Sequence, residues 1–241
     1  MHRFLLTPED TVANNLVLIR SEDLLHQWGK VLKFRIGEVI AVFDGSGKEW
    51  EVEIKEIAKR QISCEVKLEF FKENELPVKL ILAQSLLKNA ERFEFVLQKC
   101  TELGVSEFIP LLTKRTEQKF LHKKERLERI LKEATEQSGR ARLPKLEELG
   151  KFADVLKLKN VLVLMPHPVA DEKFADIKAR LGSASRDILI CIGPEGGFME
   201  DEVDLARESG ALIFNIGKRI LRAETAAIVM ATLVGEWVEG M

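Results

Sequence analysis

The segment Ile188-Leu189-Ile190-Cys191-Ile192-Gly193-Pro194-Glu195-Gly196-Gly197-Phe198 decides the fold class. Its first five residues are all apolar, and a run of this length is typical of a strand that is buried on both faces. The proline and glycines that follow interrupt regular structure and favour a loop. The segment therefore predicts a central strand of a parallel sheet, followed by a loop at the carboxyl end of that strand.

Four other apolar runs have a similar length, and the segments between them have helical spacing. Between residues 93 and 103, apolar side chains recur at intervals of three or four, which predicts a helix with Gly104 as its C-terminal cap. Strands that alternate with helices are typical of an α/β domain with a mainly parallel sheet. The four runs are 79–84, 107–112, 161–165 and 212–216.

The first seventy residues have a different pattern. The segments 31–43, 50–57 and 61–70 are rich in Val, Ile and Phe, and turn residues separate them. One short helix is expected at 22–30, and several short strands close most readily as a small β-barrel. The polar segment before Pro77 marks a change of pattern, so we expect a β-barrel domain at 1–73 and an α/β domain at 74–241.

The composition is that of an ordinary soluble protein, with 46% hydrophobic and 32% charged residues. No apolar run approaches the roughly 18–20 residues that cross a bilayer, and the first residues lack the apolar core of a signal peptide. Cys64, Cys100 and Cys191 are widely separated and have no histidine at ligand spacing. We therefore expect a cytoplasmic protein without a membrane partner and without a metal.

Positive charge is concentrated in one segment. The formal net charge is −2, but residues 114–145 contain eleven Lys or Arg and five Asp or Glu, a local charge of +6. Leu127, Ile130, Leu131 and Ala134 have helical spacing, so most of these charges are expected on the outer face of a helix. The segment is a candidate for contact with phosphates, although a solvated amphipathic helix would have the same pattern.

Ligands bind at the carboxyl ends of strands in open α/β sheets, and three loops start at such ends: 165–168, 193–198 and 217–222. The last two loops carry most of the candidate chemistry. The loop 193–198 lacks the spacing of a phosphate loop or of a dinucleotide fingerprint, so its glycines suit a flat, neutral heterocycle contacted by backbone groups. The loop 217–222 places Lys218, Arg219 and Arg222 close to Glu224, just before an Ala-rich helix. The alternatives are a simple turn for 193–198 and surface ion pairs for 217–222.

The two loops read IGPEGGF at 192–198 and IGKRILRAETAA at 216–227. Together they resemble the signature of the trefoil-knot (SPOUT) RNA methyltransferases, in particular the family that methylates N3 of one uracil in 16S ribosomal RNA. The resemblance covers nearly the whole chain and departs from the family pattern at Lys88-Asn89-Ala90-Glu91 and Met165-Pro166-His167-Pro168. Matching segments are MHRFLL at 1–6, KVLKFRIGEVIAVFDGSG at 30–47, LLKNAERFEFVLQKCTELGVSEFIPLLTKRT at 86–116 and EATEQSGRARLP at 133–144.

The resemblance implies a fold, a cofactor and its site. The α/β domain is expected to be a SPOUT domain with a deep trefoil knot, and the first domain a PUA-like β-barrel that binds RNA. S-adenosylmethionine is expected to bind in a pocket formed by the knotted loops. The implied cofactor residues are Leu164, Met165, Pro166, His167, Ile192, Gly193, Pro194, Glu195, Gly196, Gly197, Ile216, Gly217, Arg219, Ile220, Leu221 and Thr225.

The implied reaction sets two chemical requirements. N3 of uracil carries a proton, so the site must stabilise charge on the uracil carbonyl oxygens and accept that proton. We expect Arg222 to stabilise the charge, because its planar fork suits two acceptors. Glu224 or Glu195 is the candidate base, although Glu224 is equally suited to cap the last helix or to pair with Arg219.

The implied partners are 16S ribosomal RNA, free or within the 30S subunit, and a second copy of the chain, because knotted methyltransferases are usually homodimers. Two other functions stay open. One is a non-catalytic RNA-binding or ribosome-assembly protein, and the other is a ribose 2′-O-methyltransferase of the same fold. The residues expected to contact RNA are Lys88, Arg92, Lys99, Arg115, Gln137, Ser138, Arg140 and Arg142.

Overall fold

The computed structural model describes residues 1–72, 74–121, 123–181 and 186–240. The chain divides into two compact units, 1–75 with 135–143 and 76–134 with 144–241. We call them the N-terminal unit and the C-terminal unit. No sequence pattern indicated that the separate segment 135–143 belongs to the first unit. The boundary expected after residue 73 stays a prediction, because residue 73 lies outside the described residues.

The N-terminal unit is built on one six-stranded sheet. Its strands are β1 (Arg3–Leu5), β2 (Thr11–Ala13), β3 (Leu16–Ile19), β4 (Val39–Phe43), β5 (Lys48–Ala58) and β6 (Gln61–Phe71). The spatial order is β1-β4-β5-β6-β3-β2; β1 and β4 are parallel, and the other neighbours are antiparallel. Within the described residues the pairing is an open path from β1 to β2, so closure into a barrel stays a prediction.

Two expectations for this unit were wrong in their bounds. The strand predicted at 31–43 begins only at Val39, because Gln27–Val31 forms a π-helical turn. The helix predicted at 22–30 is α1 (Glu22–His26), which continues into that turn. Trp28 in the turn is fully buried, and its ring centroid lies 5.1 Å from that of Phe4. Burial of this large side chain therefore outweighs the strand propensity of the residues around it.

Buried ion pairs hold the separate segment in the N-terminal unit. Arg3 donates to the Glu49 carboxylate at 3.0 and 2.6 Å and to the carbonyl oxygens of Glu136 and Arg140 at 3.1 and 3.0 Å. The Arg140 guanidinium in turn donates to both carboxylate oxygens of Glu75 at 3.1 Å. Removing one partner of such a buried pair leaves an uncompensated charge, so these contacts fix the position of the segment.

The C-terminal unit contains a second sheet, which is parallel throughout. Its strands are β7 (Leu80–Ser85), β8 (Glu107–Leu112), β9 (Lys145–Leu146), β10 (Gly150–Lys151), β11 (Val161–Pro166), β12 (Asp187–Ile192) and β13 (Leu212–Phe214). The order is β10-β8-β7-β12-β11-β13, with β9 beside β8. The α/β domain with a mainly parallel sheet, predicted from the sequence, is confirmed.

Helices cover both faces of this sheet. Leu80 and Leu82 of β7 point into the core that includes residues of α2 and α7, whereas Ile81 and Ala83 point into the core on the opposite face. Within the described residues, no helix has the length and apolar character that crossing a membrane requires. The last four residues of α3 belong to the segment 135–143 of the N-terminal unit. The helices after β7 are α2 (Ala90–Glu102), α3 (Lys124–Ser138), α4 (Phe152–Val155), α5 (Phe174–Leu181), α6 (Glu200–Glu208) and α7 (Ala223–Glu239).

The strand order brings distant loops together at one edge. β12 follows β11 in the chain but lies between β11 and β7, and Ile192 at its end is aligned with Gln84 of β7. Pro166 at the end of β11 is aligned with Phe214 at the end of β13. Because all these strands are parallel, the loops that follow them leave from the same edge of the sheet.

Gly104 ends α2 as predicted and allows a test of the packing in the C-terminal unit. It has φ +91°, and a Cβ at this position would lie 2.9 Å from Cγ of Leu76. We expect Gly104→Ala to lower the free energy of unfolding by roughly 2–5 kcal/mol, from the left-handed backbone and the overpacking together. The measurement is urea denaturation of the full chain.

The matched control is Gly210→Ala. Gly210 has a similar φ of +84°, but nothing lies within 4 Å of its Cβ position. This variant should lose only the roughly 1–2 kcal/mol of the backbone contribution. Equal losses in the two variants would show that the contact with Leu76 adds nothing.

Candidate active site

A cleft of about 850 Å³ lies at the carboxyl edge of the parallel sheet. Three connections form most of its wall: the loop after β11, the loop after β12 and the segment that joins β13 to α7. The side of α6 completes it. Apolar side chains such as Ile192 and Leu221 line the cleft together with glycine backbone and the charged side chains of Arg222, Glu195 and Arg207. The cleft thus offers apolar, backbone and charged contacts to one ligand.

The loop after β12 has a shape that two glycines make possible. A Cβ on Gly193 would lie 3.1 Å from the ring of Phe198, which is buried, and a Cβ on Gly196 would lie 3.3 Å from the side chain of Arg115. Gly197 has φ +69°, and its Cβ position faces open space. Glycine at 193 and 196 therefore lets Phe198 and Arg115 pack against the loop, and the three glycines line the cleft.

Arg115, which follows β8, lines the cleft and supports this loop. Its Nη1 donates to the Gly196 carbonyl oxygen at 2.6 Å. The backbone N–H of Lys114 donates to the Glu202 carboxylate at 2.9 Å, and the same carboxylate accepts from the Met199 N–H at 2.9 Å. Glu202 is buried and thus joins the loop after β8 to the start of α6. Sequence reasoning missed this role, because an acid in the first turn of a helix is ordinary.

Glu195 extends from the glycine loop towards the start of α2. Its Oε1 accepts from the Lys88 N–H at 3.1 Å. A second cavity of about 540 Å³ shares Arg115 and Glu195 with the cleft and is also lined by Lys88 and Lys114. Lys88 is paired with Glu117 at 2.7 Å, and both side chains are exposed. Exposed pairs of this kind contribute little free energy, so a phosphate can replace the carboxylate as the partner of the lysine.

The loop after β11 carries His167 into the cleft. The His167 N–H donates to the Phe214 carbonyl oxygen at 2.7 Å, and Asn215 Nδ2 donates to the Ala170 carbonyl oxygen at 2.7 Å. These bonds fix the loop to the end of β13. Burial lowers the pKa of His167 below its ordinary value of 6.5, and the positive charge of Arg207 lowers the pKa further. The imidazole is therefore neutral at pH 7.

Arg222 and Glu224, at the start of α7, differ in their exposure and in their contacts. Arg222 is the N-cap residue, is exposed and lines the cleft. Glu224 is half-buried in the first helical turn, where the helix dipole favours a carboxylate. Its Oε1 lies 3.7 Å from Nε of Arg92, and its Oε2 is buried without a hydrogen-bond partner in the described part of the chain. The alternative of a pair with Arg219 was wrong, since the partner is Arg92.

Most of the expected cofactor residues line the cleft. Leu164 and Met165 stay a prediction: their side chains are fully buried in the two cores that flank the sheet, so only their backbone groups are left for a contact with a ligand. A second group lies near the cleft but outside its lining: Ile216, Gly217, Arg219 and Thr225. The expected cofactor residues that do line the cleft are Pro166, His167, Ile192, Gly193, Pro194, Glu195, Gly196, Gly197, Ile220 and Leu221.

Sequence reasoning missed the contribution of α6. Val203, Asp204 and Arg207 line the cleft, and Arg207 is paired with Asp204 at 2.6 Å. Their spacing is that of any amphipathic helix, so no signal distinguished them from a solvated face.

Four residues expected to contact RNA belong to the C-terminal unit. Lys88 and Arg115 are exposed and line the second cavity. Arg92 faces Glu224, and Lys99 is paired with Glu102 at 2.8 Å. Lys88 and Arg115 are thus the best placed of the four for contact with a phosphate.

The other four belong to the N-terminal unit. Gln137 and Arg142 are exposed, and Ser138 is half-buried. Arg140 is a correction: its side chain is only 4% exposed and is paired with Glu75. Its charge is therefore used inside the unit and is not available to RNA.

Comparison with known proteins agrees with this arrangement. In open parallel α/β sheets, ligands bind in the crevice at the carboxyl ends of the strands. Residues 74–235 match the model of the RNA methyltransferase domain, and residues 29–67 match that of the RNA methyltransferase PUA domain. The chain therefore belongs to the RNA methyltransferase family, and the expected PUA-like character of its first domain is confirmed.

Similar proteins cover nearly the whole chain. The ribosomal RNA small subunit methyltransferase E of Synechocystis is 31% identical over 99% of this chain and 78% of its own length. The protein of the same name from Neisseria gonorrhoeae, solved with bound S-adenosyl methionine, is 31% identical with a TM-score of 0.88 and covers 98% of this chain and 97% of that one. A putative methyltransferase of Legionella pneumophila, also solved with bound cofactor, is 31% identical with a TM-score of 0.85 over 97% of this chain and 96% of that one.

The neutral His167 predicts a pH dependence of stability. Because its pKa is lower in the folded than in the unfolded chain, its contribution is fully present above the unfolded value of 6.5 and is lost as the pH falls through the folded value. We expect the free energy of unfolding, measured with urea between about pH 5 and pH 8, to decrease on the acidic side less in His167→Gln than in the wild type. His26→Gln, which replaces an exposed histidine, should follow the wild-type profile. Identical profiles for all three proteins would refute the prediction.

Proposed function

We propose that the protein transfers the methyl group of S-adenosylmethionine to N3 of a specific uracil in 16S ribosomal RNA. The observation that carries the proposal is the cleft at the carboxyl edge, where the two loops of the sequence signature meet. Membership of the RNA methyltransferase family supports the reaction class, and the names of the similar proteins support the small-subunit RNA as substrate. The choice of N3 rests on the resemblance described for the two loops.

The residues of the cleft fit the cofactor. When bound, S-adenosylmethionine supplies an electrophilic methyl group on a positively charged sulfur. The open backbone at Gly197 and the apolar side chains of Ile192 and Leu221 suit adenine, which has a flat ring and a polar edge. A neutral His167 does not repel the sulfonium, and the Glu195 carboxylate in the same cleft attracts it. We propose that these residues hold the cofactor.

Arg222 is proposed to stabilise the charge that develops on uracil. It lines the same cleft as the glycine loop, so its guanidinium is available to a base that lies against the methyl group. A planar fork with several N–H donors suits a carbonyl oxygen that becomes negative as N3 loses its proton. As the N-cap of α7 it stands on a helix packed against the sheet, so its backbone is firmly placed.

Glu195 is proposed as the base in preference to Glu224. Glu195 lines the cleft and keeps one carboxylate oxygen beyond the one that accepts from Lys88. Glu224 faces Arg92 and is half-buried at the start of α7, which suits a carboxylate that stabilises the helix. In the proposed reaction the N3 proton passes to Glu195 as the methyl group reaches N3.

RNA is proposed to approach across the second cavity. Lys88, Lys114 and Arg115 line it, and it adjoins the cleft through Arg115 and Glu195. A phosphate that is held there would place the flanking nucleotides beside the cleft, while the target uracil enters the cleft itself.

Arg222→Ala tests the proposal. We expect methylation of 16S RNA, assayed free and within 30S subunits, to fall about 100–1,000-fold, while calorimetry shows a nearly unchanged affinity for S-adenosylmethionine. The control is Arg186→Ala, which removes an exposed arginine that precedes the amino end of β12. Normal turnover in the Arg222 variant would remove Arg222 from the mechanism. Mass spectrometry of the digested RNA identifies the product, and a methyl on ribose would replace the proposed reaction by 2′-O-methylation.

The same assay distinguishes the two carboxylates. Glu195→Gln should lower the rate about 100-fold at neutral pH, since general-base catalysis contributes roughly 100–10,000-fold. Glu224→Gln should lower the free energy of unfolding and change the methylation rate little, because it leaves Arg92 without its partner. The reverse result would assign the base to Glu224. Absence of cofactor binding in the wild-type protein would favour a non-catalytic RNA-binding role.

A homodimer is also proposed. Val169 and Ile220 line the cleft, and their side chains are 80% and 88% exposed, which is unusual for large apolar residues of the same pocket. A second copy of the chain that covers them would bury this surface. Sedimentation equilibrium should give twice the chain mass for the wild type. The variant Ile220→Asp should have the mass of one chain. Leu158→Asp, which alters another exposed large apolar residue, should leave the dimer intact. A monomeric wild type would exclude this proposal.

A trefoil knot and a cytoplasmic location complete the proposal. After β13, the chain returns across the carboxyl edge so that α7 packs in the same core as β7, β12 and α2. A knotted path requires a return of this kind. Tracing of the chain in an electron-density map tests the knot, and cell fractionation tests the location.

A further inference from the structure

The cleft and the second cavity have part of their wall in common. Arg115, Glu195 and Gly196 line both of them, and we call these three residues the shared wall. Two segments that are distant in the sequence build it, the loop after β8 and the loop after β12. Whatever fixes these two segments to each other therefore fixes the wall of both cavities.

A buried carboxylate joins the two segments. Glu202 is 6% exposed and belongs to the first turn of α6, just after the glycine loop. Its Oε1 accepts from the Lys114 N–H at 2.9 Å, and its Oε2 accepts from the Met199 N–H at 2.9 Å. Glu202 is not among the described residues that line the two cavities. It can therefore act on a ligand only through the backbone that it holds.

This contact requires two acceptor oxygens. Each backbone N–H points at a different oxygen of Glu202, so a carboxylate satisfies both. A glutamine has one carbonyl oxygen and one NH₂ group, so one of the two N–H groups would be left unpaired. Capping of a helix does not require a buried acid, because the exposed Asp176 accepts from the Lys173 N–H just before α5 at 3.1 Å. The second oxygen of Glu202 thus serves the loop after β8.

The loop after β8 is held at its base by buried hydroxyl groups. Thr113 and Thr116 are 6% and 2% exposed, the Thr113 N–H donates to Thr116 Oγ1 at 2.9 Å, and the two hydroxyl oxygens lie 2.8 Å apart. Lys114 and Arg115 lie between these threonines, so the bond from the Lys114 N–H to Glu202 also positions Arg115. The Arg115 guanidinium then donates to the Gly196 carbonyl oxygen at 2.6 Å and closes the connection between the two segments.

We propose that Glu202 is a positioning residue that keeps the shared wall in the arrangement to which both S-adenosylmethionine and RNA bind. This role rests on the proposed function for the identity of the two ligands and adds a link between their sites. A ligand binds only those molecules in which its site is formed, so its apparent dissociation constant rises as that fraction falls. In the wild type the wall is formed in advance, and the two ligands affect each other little. In a loosened wall, the first ligand to bind orders the site of the second, and the two become coupled.

The first test compares Glu202→Gln with the matched control Asp176→Asn. The control also converts an acid in the first turn of a helix to its amide, but it affects only the start of α5. The ligands are a 16S RNA fragment and S-adenosylhomocysteine, which has no methyl group to transfer. We expect calorimetry to show both dissociation constants about 5–20-fold higher in Glu202→Gln, which corresponds to a wall that is formed in roughly 5–20% of the molecules. The control should stay near the wild type.

Coupling between the ligands distinguishes positioning from a general loss of stability. In saturating S-adenosylhomocysteine, the RNA affinity of Glu202→Gln should return to within about threefold of the wild-type value. The same ligand should change the RNA affinity of the wild type much less. At saturating S-adenosylmethionine and RNA, kcat should likewise stay within about threefold of the wild type, and the loss should appear in KM. A variant that is only less stable would lose active molecules, so kcat would fall while KM stayed unchanged.

A second variant loosens the same loop without a change in α6. Thr116→Val keeps nearly the same size and removes the hydroxyl group that accepts from the Thr113 N–H. We expect a smaller rise of both dissociation constants, again reversed for RNA by saturating S-adenosylhomocysteine. Urea denaturation shows whether each variant is folded, and Thr116→Val carries the test if Glu202→Gln is not.

The outcomes separate this role of Glu202 from the proposed function. If the wild type binds both ligands and methylates the RNA, but the two variants bind both ligands as the control does, only the role of Glu202 is overturned. A loss of affinity for one ligand alone, or a loss of RNA affinity that saturating S-adenosylhomocysteine does not reverse, overturns it as well. If the wild type binds neither ligand, the proposed function fails, and the role of Glu202 fails with it.

Discussion

The parallel register of β7, β12, β11 and β13 is the constraint on which the candidate site depends. Each of these strands must pair its backbone groups in a buried sheet, so none can shift by a residue without exposing apolar side chains or leaving polar groups unpaired. Ile192 is held opposite Gln84, and Pro166 opposite Phe214. The starting points of the loops that form the cleft are therefore fixed by the core and not by a ligand.

The shape of the glycine loop then depends on groups outside the loop itself. Arg115 fills the space beside Gly196 and donates to its carbonyl oxygen, while the buried Glu202 holds the neighbouring backbone of Lys114 to the start of α6. Such support holds a site in place before its ligands arrive, which lowers the entropic cost of binding and of orienting reactants. Arg115 also lines the second cavity, so one side chain supports the cofactor loop and borders the proposed path of RNA.

The sequence predicted the elements whose cause is local. Runs buried on both faces, such as Glu107–Leu112, were found with their bounds, because an apolar run of strand length has few other solutions. Residues 31–38 were predicted wrongly as strand, because burial of Trp28 through a helical turn outweighs their composition. Leu164 and Met165 were placed in the cofactor site although strand alternation directs their side chains into the cores. Arg207 and Glu202 were missed because helical spacing does not show what lies opposite a helix.

A count of charges along the sequence is limited in the same way, because it does not show which cations are paired in the folded chain. A count along the chain selects residues 114–145, yet there Arg140 is buried against Glu75 and Arg126 is held by Glu94 at 2.6 Å. Positive charge that already has a partner must give it up before it binds a phosphate, whereas unpaired charge loses only its hydration. Attraction of a polyanion therefore follows the density of unpaired cations, which pairing in the folded state decides. Among the described residues, five of the eleven cations of 114–145 form ion pairs, so fewer of them are available to a phosphate than the count along the chain implies.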